Sequence, residues 1–180
     1  MKQILVAALV LASVPALAAP KPGLEGSYEM VSFRTKTQPE TQIAPMMLEA
    51  LKSYGTVWAR IVVTFDGPNM TITSQQLIGK PGAYTACVAS ATAGVTWKGK
   101  TFTLAGKLVG TAAYTTFSKL TSTDTDEDTN HCNASIEGGT YTVAVKGDQV
   151  MMSRADGTVT TLATSADAVK PEWHKHLPKK

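Results

Sequence analysis

The chain has 180 residues, of which 43% are hydrophobic and 17% charged, and its formal net charge at pH 7 is +3. So small a positive charge gives no indication of nucleic-acid binding, because proteins that bind nucleic acids concentrate basic residues in one patch. The abundance of Thr, Gly, Ala and Val, with few Leu, Glu and Lys, is typical of pleated strands and predicts a mostly β domain.

Residues 1–19 have the pattern of a secretory signal peptide. Lys2 is followed by an apolar run over residues 4–14, and Ala16-Leu17-Ala18 matches the small-residue motif of a cleavage site. At about a dozen residues, the run is too short to span a bilayer. The residue directly after the cleavage site is not a cysteine, which argues against a lipid anchor. We therefore expect an exported protein of a bacterial cell, periplasmic or secreted.

The mature chain begins with a predicted strand and the one convincing helix. In residues 27–35, two sets of side chains alternate, as in a half-buried strand. A polar loop over residues 38–42 follows. Residues 45–54 predict a helix, because Pro45 suits the first turn and Gly55 is a typical stop.

After the helix, short strands alternate with turns that contain glycine. The turns Lys98-Gly99-Lys100, Lys146-Gly147-Asp148 and Ala155-Asp156-Gly157 predict hairpins. The predicted strands cover residues 57–65, 70–78, 84–92, 95–97, 101–104, 111–120, 132–136, 140–145, 149–154 and 158–163.

Sequential hairpins predict an all-β fold, an antiparallel up-and-down β-barrel of about eight to ten strands with one short helix after the first strand. A sandwich needs longer crossings between its sheets, and only residues 122–130 offer an obvious one. The predicted organisation is therefore a signal peptide over residues 1–19, a barrel domain over residues 20–165 and a basic tail over residues 166–180.

One segment resembles a known family. Residues 24–33 are similar to the opening strand of lipocalin-like (calycin-type) proteins, with Tyr28 where the family has a tryptophan. Residues 62–67 and 70–72 resemble the family's central hairpins, and Arg154 matches an arginine that packs on the aromatic residue of the opening strand. The resemblance implies a bacterial lipocalin-like secreted protein with a cavity for small, mostly apolar ligands, often without catalysis.

Aromatic side chains on the predicted strands are the candidate ligand-binding residues. Half of each barrel strand faces inward, so some of these rings are expected inside. There they would line a cavity or, alternatively, fill a solid core. The candidates are Tyr28, Trp58, Tyr84, Trp97, Phe102, Tyr114 and Tyr141.

Cys87 and Cys132 are the two cysteines of the chain, and both lie in the exported part. An even number of cysteines in an oxidising compartment predicts a disulfide. Its long loop would stabilise the fold by an amount on the order of 4 kcal/mol in the chain-entropy model. Two buried thiols are the alternative. The spacing has no CxxC pattern and so predicts neither a zinc site nor redox catalysis.

Two charged segments have a structural and a functional interpretation. Residues 124–128 carry alternate aspartates like the start of a calcium loop, but Thr129 replaces the required glycine, so a solvated acidic turn is favoured over weak calcium binding. In the tail, His174 and His176 lie near Trp173. A frayed terminus with this tryptophan packed over a barrel end is favoured over metal binding or contact with an anionic membrane surface.

The motifs of common catalytic sites are missing from the sequence. It contains no Gly-x-Ser-x-Gly, no His-Glu-x-x-His and no phosphate-binding glycine loop, and we predict no enzymatic activity, metal or cofactor. The leading hypothesis is a carrier of a small hydrophobic molecule, which requires an open cavity. The alternatives are an envelope structural or interaction protein that acts through its surface, and a small barrel enzyme with a polar cavity.

Overall fold

The computed structural model describes residues 24–80, 83–106, 108–118, 121–123, 133–165 and 173–176. The predicted signal peptide and the acidic residues 124–128 lie outside these ranges. The elements from the N-terminus to the middle of the chain are β1 (Gly26–Arg34), β2 (Thr41–Gln42), α1 (Ile43–Leu51), a 3-10 turn (Lys52–Tyr54), β3 (Thr56–Asp66), β4 (Asn69–Lys80), β5 (Ala83–Lys98) and β6 (Thr101–Leu104). They are followed by β7 (Leu108–Val109), β8 (Thr111–Ser118), β9 (Thr121–Thr123), β10 (Ser135–Ile136), β11 (Gly139–Lys146), β12 (Gln149–Arg154), β13 (Val159–Thr164) and α2 (Trp173–His176).

Eight strands form a closed antiparallel ring, which confirms the predicted up-and-down barrel. Around the ring the order is β4, β3, β1, β13, β12, β11, β6 and β5, and pairing of β5 with β4 closes it. This order follows the chain, and short turns join β3 to β4, β5 to β6, β11 to β12 and β12 to β13. Closure pairs the edge strands that an open sheet would expose. Outside the ring, β8 and β9 extend one edge of β5, and β7 pairs with β10.

Strand β5 is longer than predicted. The sequence indicated two strands over residues 84–92 and 95–97, with a break at Gly94 between them. In the structure Gly94 pairs with Asn69, and β4 pairs with residues 83–94 of β5. The other edge of β5 is shared, first with β8 and then with β6. Pairing with β4 therefore continues the strand through Gly94, where the two predicted strands were separate.

Helix α1 packs inside the barrel against the inner face of β3. Ile43 and Met47 are four residues apart, so both lie on one helix face, and both are buried against Ala59. The helix is followed by a 3-10 turn that ends at Gly55, whose φ of 76° lies in the left-handed region that glycine adopts readily. The predicted helix is thus confirmed, with its start two residues earlier.

The barrel core lies between the inner faces of the ring strands. Alternation along β3 places Ala59, Ile61, Val63 and Phe65 on one face, and the last two belong to the buried core. Met30 contacts both this core and the residues around helix α1, so the two clusters are continuous. In the part of the chain that the structure describes, no helix is long and apolar enough to cross a membrane.

Candidate functional site

A β-bulge in β1 determines which residues reach the outer face of the barrel. Met30 pairs with Leu162, but the next pair is Ser32 with Thr161, so Val31 is an extra residue. Leu162 is fully buried in the core, and alternation places Thr161 on the opposite, outer face. The bulge therefore moves Ser32 to the outer face, although simple alternation would place it on the same face as Met30.

The outer face of β1, β13 and β12 contains a cleft of about 460 Å³. This volume lies within the range of small-molecule sites, roughly 300–1,000 Å³. Thr161 pairs with Ser32 on one side and with Met151 on the other, so these three residues form one row across the base of the cleft. The apolar lining residues are Val31, Phe33, Met151, Val159 and Ala163. The polar and charged ones are Ser32, Arg34, Glu40, Gln42, Lys146, Gln149 and Thr161.

One wall of the cleft comes from the segment between β1 and β2. The Thr35 side chain accepts the backbone N–H of Gln38 at 3.0 Å, which fixes the turn. Ser32, only 2% exposed, donates its hydroxyl hydrogen bond to Oε1 of Glu40 at 2.5 Å. Pairing of Ser32 with Gln42 then holds β2 beside β1. The wall is therefore tied to the base of the cleft by side-chain and backbone bonds.

The two cations of the cleft, Arg34 and Lys146, differ from Arg60 and Arg154 in whether they form ion pairs. The Arg60 side chain is 5% exposed and lies 3.7 Å from the Glu29 carboxylate. Arg154 lies 3.6 Å from Glu137 and is also paired with Asp156. For the residues that the structure describes, the ion pairs within 4.0 Å include neither of the two cations of the cleft. Those two cations are thus available to a ligand.

Four of the predicted ligand-binding residues meet inside the barrel. The Tyr28, Trp97 and Phe102 rings contact Phe65, and Tyr141 stacks on Phe102, with ring centroids of contacting pairs 4.9–6.3 Å apart. The Tyr28 hydroxyl donates to the Glu25 carbonyl, and the Tyr141 hydroxyl donates to the Glu137 carbonyl, both at 3.0 Å. These rings pack on one another as a core does and occupy this part of the interior.

The Arg154 guanidinium lies over the Tyr141 ring of this aromatic cluster. Its guanidinium carbon lies 5.7 Å from the centroid of the Tyr141 ring, whereas the family resemblance predicted an arginine on Tyr28. Burial raises the pKa of the Tyr141 phenol, because phenolate is poorly solvated there, although the charge of Arg154 opposes the shift. The arrangement is a stacked cation on a half-buried ring and adds to the packing of the cluster.

Two further candidates, Trp58 and Tyr84, lie on the outer side of the sheet. Trp58 pairs with Leu77 across β3 and β4, and these residues pack with Tyr84 and Trp173 in a separate apolar cluster. The Trp58 ring contacts Trp173 edge-on at 5.7 Å and stacks on His176 at 4.1 Å. Part of the predicted tail thus covers the barrel wall, and these two candidates are away from the interior cluster.

The last predicted ligand-binding residue, Tyr114, lies on the strand that pairs with the segment around Cys87. Tyr114 belongs to β8, and its backbone pairs with Cys87 of β5, but its side chain is outside the described part. Cys87 is fully buried. Because Cys132 lies outside the described ranges, the disulfide stays a prediction. Within those ranges, no three His, Cys, Asp or Glu side chains form a group suited to a metal ion.

Sequence reasoning missed the cleft residues. Arg34 and Met151 belong to predicted strands, Glu40 to a predicted loop and Lys146 to a predicted hairpin turn, but nothing in their local pattern marks the four as neighbours. The bulge at Val31 turns Ser32 and Arg34 toward the cleft, and the sequence there has no glycine to indicate it.

Comparison of the chain with protein-family models, with curated proteins and with solved structures finds no match.

Proposed function

We propose that the chain is an exported, lipocalin-like binding protein that carries a small, mainly hydrophobic molecule without chemical conversion. The observation that carries the proposal is the cleft of about 460 Å³ on the outer face of β1, β13 and β12. The cleft is lined by five apolar and seven polar or charged residues, so it offers an apolar surface together with groups that can orient a ligand. The signal-peptide pattern of residues 1–19 supports export.

The proposed site is the outer cleft instead of the barrel interior. The candidate rings inside pack against one another around Phe65, which is 2% exposed. A ligand there would have to displace ring contacts, whereas the cleft already has the volume of a ligand site. The eight-stranded ring supplies a rigid support for the cleft, since its base belongs to paired strands.

Native mass spectrometry of protein purified from its source tests this function. We expect the wild-type protein to carry an extra mass that disappears on denaturation. Thr161→Trp places a large ring at the base of the cleft and should remove the adduct. Thr96→Trp is the matched control, because Thr96 is exposed on the outer side of β5, across the ring from β13.

The outcomes distinguish the cleft from the rest of the molecule. Loss of the adduct in Thr161→Trp but not in Thr96→Trp supports the proposal. An adduct that survives in both variants places the ligand elsewhere and contradicts it. Circular dichroism of both variants must match the wild type, since a misfolded variant would lose the adduct for a different reason.

A further inference from the structure

We infer that the cleft selects an anionic amphiphile, a molecule with an apolar body and one negatively charged group. The inference rests on the proposed function and gives it a ligand class. Its basis is the charge of the lining, which contains the cations Arg34 and Lys146 but the single carboxylate Glu40. A neutral apolar ligand would make no use of these two cations.

The carboxylate in the cleft is already engaged. One oxygen of Glu40 accepts the hydrogen bond of buried Ser32 at 2.5 Å. A carboxylate held in this way is part of the wall, and it is less available to bind a cationic ligand group. By contrast, the ion pairs among the described residues leave Arg34 and Lys146 without a carboxylate partner. An anionic ligand group would supply that partner.

The two cations lie at opposite corners of the cleft. Arg34 is in one row with Val159, Ser153 and Thr142, and Lys146 follows Thr142 by four residues. Strands spaced about 4.8 Å apart with a rise of about 3.3 Å per residue place the two backbone positions roughly 19 Å apart on a flat sheet. Both long side chains are exposed and can turn toward the centre.

The region between the two cations is where the apolar body would lie. Met151, Val159 and Ala163 occupy neighbouring positions on β12 and β13, on the same outer face. An amphiphile that covers them removes apolar surface from water, and its charged end then reaches one corner of the cleft. The pattern of an apolar centre with cations at the ends thus fits an anionic amphiphile and gives a cationic one nothing to pair with except Glu40.

Isothermal titration calorimetry with three probes of equal chain length tests the inference. The probes are decanoate, decan-1-ol and decyltrimethylammonium, each below its aggregation concentration. We expect decanoate to bind about five-fold more tightly than decan-1-ol, since an ion pair with one exposed cation contributes modestly. The preference should shrink as ionic strength rises, because salt screens exposed charges. The double variant Arg34→Gln/Lys146→Gln should bind decanoate and decan-1-ol equally.

A matched double variant separates a local effect from a change in net charge. Lys98→Gln/Lys100→Gln removes the same charge from the β5–β6 hairpin, which does not line the cleft. It should keep the preference for decanoate. Equal binding of all three wild-type ligands, or tightest binding of the cation, overturns the inference while the proposed function stands. Failure of all three probes to bind contradicts both.

Discussion

Replacing Phe102 with alanine tests whether the aromatic cluster is the packed core of the barrel. The Phe102 side chain is 1% exposed, and its ring lies 4.9 Å from Tyr141, 5.0 Å from Trp97 and 5.7 Å from Phe65. Truncation of such a ring leaves a cavity among three others. The expected loss in the free energy of unfolding is about 3–5 kcal/mol. Since domains are stable by about 5–15 kcal/mol, this loss is a large fraction of the total stability.

Urea denaturation followed by far-UV circular dichroism measures this loss without relying on tryptophan fluorescence, because Trp97 belongs to the cluster. Phe102→Leu retains part of the apolar volume and should cost about 1–2 kcal/mol, so a value exists even if the alanine variant does not fold. Val145→Ala is the control, because Val145 is 65% exposed and its truncation should cost under about 0.5 kcal/mol. A cost below about 1 kcal/mol for Phe102→Ala would refute the reasoning and would indicate an open interior instead.

Three further predictions concern the outer cluster, the cysteines and one phenol. A double-mutant cycle on Trp58→Ala and Trp173→Ala should give a coupling of about 0.5–1.5 kcal/mol in urea denaturation, and zero coupling would contradict docking of the tail. Peptide mapping without reductant should find Cys87 linked to Cys132, and Cys87→Ser should lower stability by about 2–5 kcal/mol; recovery of two alkylated thiols would contradict the disulfide. Because burial raises the folded-state pKa of Tyr141, its neutral phenol contributes its full stabilisation of the fold below the ordinary pKa of 10.0. This contribution is lost as the pH rises through the raised value. Ultraviolet titration of wild type and Tyr141→Phe should therefore show one phenol that ionises late, and a normal or lower pKa would contradict its burial.

The barrel could be predicted from sequence because its information is local. Hairpin turns such as Lys146-Gly147-Asp148 and Ala155-Asp156-Gly157 fix which strands are neighbours, and a series of them gives an up-and-down order. The break predicted at Gly94 was wrong because strand pairing with β4 is a tertiary effect, which outweighs the turn preference of one glycine.

The faces of the strands were harder to predict than the strands themselves. Both faces of β3 are largely buried, so its alternation does not distinguish the inward Val63 from the outward Trp58. In β1 the bulge at Val31 reverses the alternation for Ser32 and Arg34. The cleft depends on this reversal and on contacts between strands far apart in the chain. The local pattern therefore predicted aromatic ligand residues inside and did not indicate the polar residues that line the proposed site outside.

The direct test of the outer cleft as the binding site is a nuclear magnetic resonance titration of ¹⁵N-labelled protein with decanoate. We predict that the largest amide shift changes fall on the cleft strands, at Ser32, Met151 and Thr161, and saturate with one ligand per chain. Largest changes at Trp97 and Phe102, inside the barrel, or small changes spread over the whole chain, would contradict it.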